Sequence, residues 1–305
     1  MGRRHLKGLV RAGCQVTAFD PSEASAQAAR EELIRAGLPA ERLRTVTDPA
    51  PGKFDLAVFA ETADHRFASV TRFAQASAAR RVLLEKPLSG NPQEVEAYAS
   101  VLPAAQVNFP RHLWPSVIRL KELCGASTRV DMTLNGGAFG FGCNGIHFLD
   151  LFLHLSGAGT FSVPWSQLSD VPVASGRGAR FRDYGGRFVV ETPRGALLCS
   201  GASESSAPVS MCIRGDHFAA WIDESDLTWR LTVRDPASRL PNYRYGGEYR
   251  VEAQGPLDVP PLDVVTERWA RGEAALPSLA ESMPAHRLLE RILRAGGAAP
   301  PYAYT

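Results

Sequence analysis

The sequence predicts an α/β protein in two parts: a doubly wound parallel sheet over residues 1–109, then an α+β part with a large, mostly antiparallel sheet over residues 110–305. Three observations carry this reading. In the first third, short β-rich runs alternate with amphipathic helical segments, the pattern of parallel strands joined by crossover helices. From residue 128 onward short strands follow one another, parted by Gly, Pro and Asp turns, which favours hairpins. A length of 305 residues at 45% hydrophobic content is enough to build two cores.

Each element has its own signal. Residues 2–12 set Leu6, Leu9 and Val10 at helical spacing, and Gly13 stops the run. Residues 15–20 read as a strand ending at Asp20, after which Ser22 is placed to cap an Ala-rich helix through Ala36. Strands at 54–60, 81–85 and 106–109 are interleaved with helices around 67–79 and 91–102. Beyond Pro115 come a helix at 116–123, a strand at 128–134 and a helix around 145–155. Strands at 187–192, 196–200, 209–214, 219–223, 228–233 and 248–252 complete the series. One face of their sheet is expected to lie on the helix that carries His147, leaving the other for a partner. The glycine-rich run 136–142 reads as a flexible wall, and Tyr243–Tyr249 as a polar hairpin tip.

Composition narrows the function classes. A net charge of +2 with dispersed Lys and Arg gives no basic stripe, which argues against nucleic acid. No apolar run approaches the roughly 20 residues of a membrane helix. The start Met1-Gly2-Arg3-Arg4-His5 lacks the apolar centre of a signal peptide, so the cytoplasm is the expected location. Five cysteines without a C-x-x-C pair fit a reducing compartment and predict no metal site.

Parallel sheets bind ligands at the carboxyl ends of their strands, so the strand-terminating residues deserve first inspection. Asp20 closes a strand where an acid can accept from ribose hydroxyls, favouring NAD over NADP. Glu85-Lys86-Pro87 closes another. With Gly2-Arg3-Arg4-His5-Leu6, Ala60–His65, Asn108–Pro115, Asn144–Leu151 and Leu276–Ser282 followed by His286-Arg287-Leu288, they form an ordered set of motifs. This set resembles the glucose-fructose oxidoreductase, inositol dehydrogenase and rhizopine-catabolism (Gfo/Idh/MocA-type) family of oxidoreductases.

The resemblance implies a Rossmann-like first domain, NAD as cofactor, and hydride transfer to or from a hydroxyl of a sugar or nucleotide sugar, with surface-polysaccharide biosynthesis as one setting. It implies that Lys86, His147 and Asp150 are catalytic. Lys86 would polarise the reacting oxygen, His147 exchange its proton, and Asp150, three residues on, orient the imidazole. Gly2, Arg3, His5, Asp20, Thr62, His65 and Glu85 would hold the cofactor, and Arg111, His112 and Asn144 the substrate. A homo-oligomer through the C-terminal sheet is also implied. Two departures stand out. Cys143 occupies the place of the family's usual aspartate, and the family's first strand and first two turn glycines have no counterpart before Gly2, as in an N-terminally truncated member. They keep open the alternative of a non-catalytic sugar-binding or scaffold protein without cofactor.

Overall fold

Helix α1 (Gly2–Arg11) forms where the sequence places it, burying Leu6 and Val10 on one side. Arg11 lies in its last turn, favourable to the helix dipole, and Gly13, at φ +88°, makes the left-handed step beyond its end. The chain passes through β1 (Val16–Phe19) to α2 (Glu23–Arg35), which Ser22 caps by accepting from the Ser25 amide at 3.2 Å. A 3₁₀ turn, Ala40–Arg42, precedes β2 (Leu43–Val46), which pairs in parallel with β1. Next come β3 (Lys53–Phe59), α3 (Ala63–Ala76), β4 (Ala78–Leu84), α4 (Pro92–Val101) and β5 (Gln106–Val107). Strands β3, β4 and β5 form a second parallel sheet. The alternation is parallel and doubly wound as expected, but its strands stand in two sheets, β2-β1 and β3-β4-β5, rather than one.

Helix α5 (Pro115–Gly125) leads to β6 (Asp131–Gly136), and a π-helical turn, Phe141–Gly145, runs directly into α6 (Ile146–Ser156). Strands β7 (Ser162–Leu168), β8 (Val173–Ala174), β9 (Arg182–Asp183), β10 (Gly186–Thr192) and β11 (Gly195–Gly201) follow. Then come β12 (Ser210–Arg214), β13 (Phe218–Asp223), β14 (Thr228–Arg234) and β15 (Tyr249–Pro256). The large sheet has the order β15-β14-β13-β12-β6-β11-β10-β7. All its neighbours are antiparallel except β11 and β6. Alternation sorts the side chains: Met132, Leu134, Leu197, Met211, Ile213 and Ile222 are buried, whereas Trp165, Leu198 and Trp221 are 46%, 49% and 40% exposed. Cross-strand register puts those three exposed residues in one transverse row. Helices α7 (Leu262–Arg271) and α8 (Leu279–Ala295) close the chain.

The computed structural model describes residues 1–48, 51–176, 178–239 and 248–304, so that 243–247 of the expected hairpin tip lie outside the described residues. It divides into two units. The first contains Met1–Ser89, Gln93–Leu113 and Pro260–Glu281, the second Gly90–Pro92, Trp114–Val259 and Ser282–Thr305. The first unit thus runs on past residue 109 to Leu113 and takes in α7 from the far end of the chain. The reason is packing. Gly8 lets α1 approach α7 so closely that a Cβ there would overlap the Asp263 carbonyl oxygen and the Thr266 side chain. Trp269 of α7 is fully buried with Leu83, Val265 and Leu276, and its indole N–H donates to Gln106 Oε1 at 2.6 Å. Among the described residues no helix is long and apolar enough to cross a membrane.

Candidate active site

In the first unit the carboxyl ends of the parallel strands present the expected residues. Asp20 follows β1, where its Oδ1 accepts from the Ser22 amide at 2.9 Å, an Asx-type turn that orients the carboxylate. It lines a cleft of about 610 Å³ with Glu23, Gln27, Arg30, Thr45 and Asp48. Arg30 is engaged elsewhere: its guanidinium donates to the carbonyls of Ala40 (3.4 Å) and Leu43 (3.2 Å). A cleft edged by three carboxylates, with its arginine tied to backbone, suits ribose hydroxyls and repels a 2'-phosphate.

Beneath Lys86 lies a buried polar network. Glu85, 2% exposed, accepts from His5 Nε2 at 2.8 Å and Asn108 Nδ2 at 2.7 Å through Oε1, and from the Lys86 amide at 3.2 Å through Oε2. His5 Nδ1 lies 2.8 Å from Thr266 Oγ1, and that hydroxyl gives its own hydrogen to the Leu262 carbonyl. Both ring nitrogens of His5 are thus engaged, and the Glu85 carboxylate is buried against the imidazole. Burial alone would raise the Glu85 pKa, but the hydrogen bond and charge of His5, with Lys86 and Arg66, hold it down at about 2. The side chains of His5 and Glu85 face inward on one another. Their structural part is to fix α1, β4 and α7 together and to set the backbone from which Lys86 departs.

Arg66 was not singled out in the sequence. It is 2% exposed on α3, and its guanidinium donates to the carbonyls of Pro87 and Leu88 after β4 and of Glu61 before α3. One fully buried arginine thereby ties together the two loops that carry Thr62 and Lys86. The Lys86–Pro87 peptide is cis. Lys86 itself is half-buried, Thr62 occupies the N-cap of α3, and His65 is exposed beside Asp64 at 3.4 Å. At the start of α1, Gly2 lies against Ala60 at the end of β3, and Arg3 pairs with Glu32 of α2 at 3.4 Å. Arg111 is buried and His112 half-buried in the 3₁₀ turn Pro110–Leu113.

In the second unit Asn144, His147 and Asp150 lie on the π-turn and α6. Asn144 is exposed and its amide donates to the Phe139 carbonyl at 2.7 Å, His147 is half-buried, and Asp150 is 4% exposed. The π-turn is organised by Asp183, a residue absent from the sequence-based expectations. Its carboxylate accepts from the amides of Gly142 (2.6 Å), Cys143 (2.7 Å) and Tyr184 (2.8 Å). Gly140, at φ +75°, passes so close that a Cβ would strike the Asp183 carboxyl group, and the Tyr304 ring covers Gly142 in the same way. Cys143 is thus held through its backbone, with the negative charge supplied from β9. Such π-turns often mark functional sites.

The units define a class: a parallel α/β unit in the same chain as an α+β unit with a broad, mostly antiparallel sheet. The chain has the two-unit fold of the Gfo/Idh/MocA-type oxidoreductases. Among solved structures it is similar to levoglucosan dehydrogenase in complex with NADH and levoglucosan, at a TM-score of 0.69 and 15% identity over 97% of this chain and 95% of that one. It is also similar to the UDP-N-acetylglucosamine 3-dehydrogenase of Acidithiobacillus ferrooxidans (TM-score 0.66, 15% identity, 96% and 93% covered). The transcriptional regulator Gal80p of Kluyveromyces lactis shares the fold as well (0.64, 13%, 92% and 81%). No family model and no curated protein matches the sequence.

Proposed function

We propose that this chain is an NAD-dependent oxidoreductase acting on a hydroxyl of a sugar or nucleotide sugar, with surface-polysaccharide biosynthesis as one setting. The observation that carries the reading is Lys86 at the carboxyl end of β4, its backbone fixed from below by the sealed His5–Glu85 pair and from the side by Arg66. NAD, when bound, supplies the hydride acceptor or donor. Asp20 would hold the ribose hydroxyls, Gly2 and Arg3 the start of α1 for the pyrophosphate, and Thr62 and His65 the approach to the nicotinamide, with His5 and Glu85 as the buried support. Lys86 stabilises negative charge on the substrate oxygen, His147 takes or returns the hydroxyl proton, and Asp150 orients His147. Arg111, His112 and Asn144 bind the sugar. The apolar row of Trp165, Leu198 and Trp221 is the surface through which a homo-oligomer would form.

Two experiments test this. Titration of the purified chain with NADH, followed by energy transfer from its five tryptophans, is expected to saturate; a folded chain that binds none overturns the cofactor assignment. Lys86→Ala is expected to abolish turnover while leaving the unfolding transition in place, and retained turnover removes Lys86 from the chemistry. The second reading, a non-catalytic binding or scaffold protein, is favoured by the division of the parallel strands into two sheets and by Cys143, and one neighbour in fold is a transcriptional regulator. Sugar binding without NADH binding is its signature.

A further inference from the structure

After α8 the chain forms no further helix or strand among the described residues, yet Tyr302 and Tyr304 are buried while Pro301 and Ala303 are exposed. That alternation belongs to an extended segment with one face on the fold. Such a segment stays ordered only where it is tied down. Here both edges are held. On one, the Tyr302 amide donates to the Gly90 carbonyl at 2.8 Å, so closely that a Cβ on Gly90 would strike the Tyr302 carbonyl. On the other, the Ala303 carbonyl accepts from the Arg182 amide of β9 at 2.9 Å.

The buried face carries two rings. Tyr302 stacks on Tyr304, with centroids 5.9 Å apart and planes 12° apart, and meets Tyr184 edge-on at 6.2 Å and 86°. Tyr304 in turn lies on the backbone of the π-turn, its ring filling the place where a Cβ on Gly142 would stand. The amides of Gly142 and Cys143 meanwhile donate to Asp183, the neighbour of Arg182 in β9. The π-turn is therefore gripped from two sides. The carboxylate sets the direction of its amides, and the ring, by contact, sets its position. Both grips run through adjacent residues of one short strand, Arg182 for the tail and Asp183 for the turn. Asn144 and His147 follow Gly142 by two and five residues on the same continuous helical run.

We propose that Tyr304, seated by Tyr302 and by the backbone contacts at Gly90 and Arg182, is a positioning residue. Its ring fixes the π-turn and thereby the place from which Asn144 and His147 project. What those two residues do, sugar binding and proton exchange, rests on the reading under Proposed function; that the ring places them does not.

The test compares Tyr304→Ala with Tyr304→Phe in the full chain. Hydrogen exchange at residues 141–147 is expected to quicken by about tenfold or more in the Ala variant, with the large sheet unchanged, and to keep the parent rate in the Phe variant, which retains the ring. The Cε1–Hε1 NMR signal of His147, assigned by its loss in His147→Gln, is expected to move in Tyr304→Ala and to hold in Tyr304→Phe. A double-mutant cycle checks the contact itself. Gly142→Ala is expected to lower the unfolding midpoint of the parent and to cost nothing more in Tyr304→Ala, where the ring it would strike is gone. None of these measurements needs turnover. A chain that oxidises no sugar would remove the dehydrogenase assignment and leave the placement by Tyr304 standing. Four results overturn the proposal. Exchange at 142–143 is unchanged in Tyr304→Ala, so Asp183 alone holds the turn. Tyr304→Phe changes as much as Tyr304→Ala, so the hydroxyl acts and not the ring. The two substitutions cost additively, so ring and turn are independent. Or exchange quickens across the whole second unit, so the tail stabilises that unit and positions nothing.

Discussion

His5 and Glu85 are sealed from water, so each must satisfy the other's polar atoms. Glu85→Gln removes the buried anion that accepts from His5, Asn108 and the Lys86 amide and is expected to cost about 3–5 kcal/mol, read from denaturant unfolding at neutral pH. The acid limb tests the same pair. The folded Glu85 carboxyl titrates at about 2, below an unfolded value of about 4.3. Its stabilisation is therefore complete above about 4.3 and is lost as pH falls from there towards about 2. The Gln variant is expected to lack that part of the acid slope. At this scale the sequence was half legible. Glu85-Lys86-Pro87 announced a site, but not that Glu85 and His5 would face each other across 80 positions. Arg66 and Asp183 gave no signal at all. A buried arginine looks like any other helix arginine until its carbonyl partners arrive, and Asp183 stands in a two-residue strand far from the turn it holds.

Helix α6 takes its starting register from the π-turn before it, and the turn takes its shape from two features that must coexist, the positive φ of Gly140 and the Asp183 carboxylate. Gly140→Ala strains the first and collides with the second. It is expected to lower stability by about 1–3 kcal/mol in thermal or denaturant unfolding and to weaken sugar binding more than NADH binding. Most elements were readable from periodicity and caps, α1 and α2 nearly to the residue. Those that escaped had specific reasons. Strand β2 is four residues long between a 3₁₀ turn and a polar loop, and β7 contains Pro164, which argues against a strand. Helix α3 begins at Ala63 instead of around Phe67 because its first turn, Ala-Asp-His-Arg, carries no apolar repeat. The break between β1 and β3 was legible only as a strand without a counterpart before Gly2; that the remaining strands hold apart as two sheets under one helix is a matter of packing.

For the whole molecule, the exposed row on the large sheet makes assembly measurable. Trp221→Glu puts a charge among apolar neighbours and is expected to shift the chain to a smaller species in sedimentation velocity without changing its unfolding midpoint. A species unchanged in size removes this face from the oligomer proposal. The return of Pro260–Glu281 to the first unit has another consequence, one of timing. When Leu113 emerges during synthesis, α1 has no α7 against Gly8, His5 has no Thr266, and Leu83 has no Trp269. At about 5–20 residues per second, the ribosome takes roughly 10–30 s longer to deliver those partners. The first unit is therefore finished only when α7 has been made, and until then the cell must keep its incomplete parallel sheets soluble.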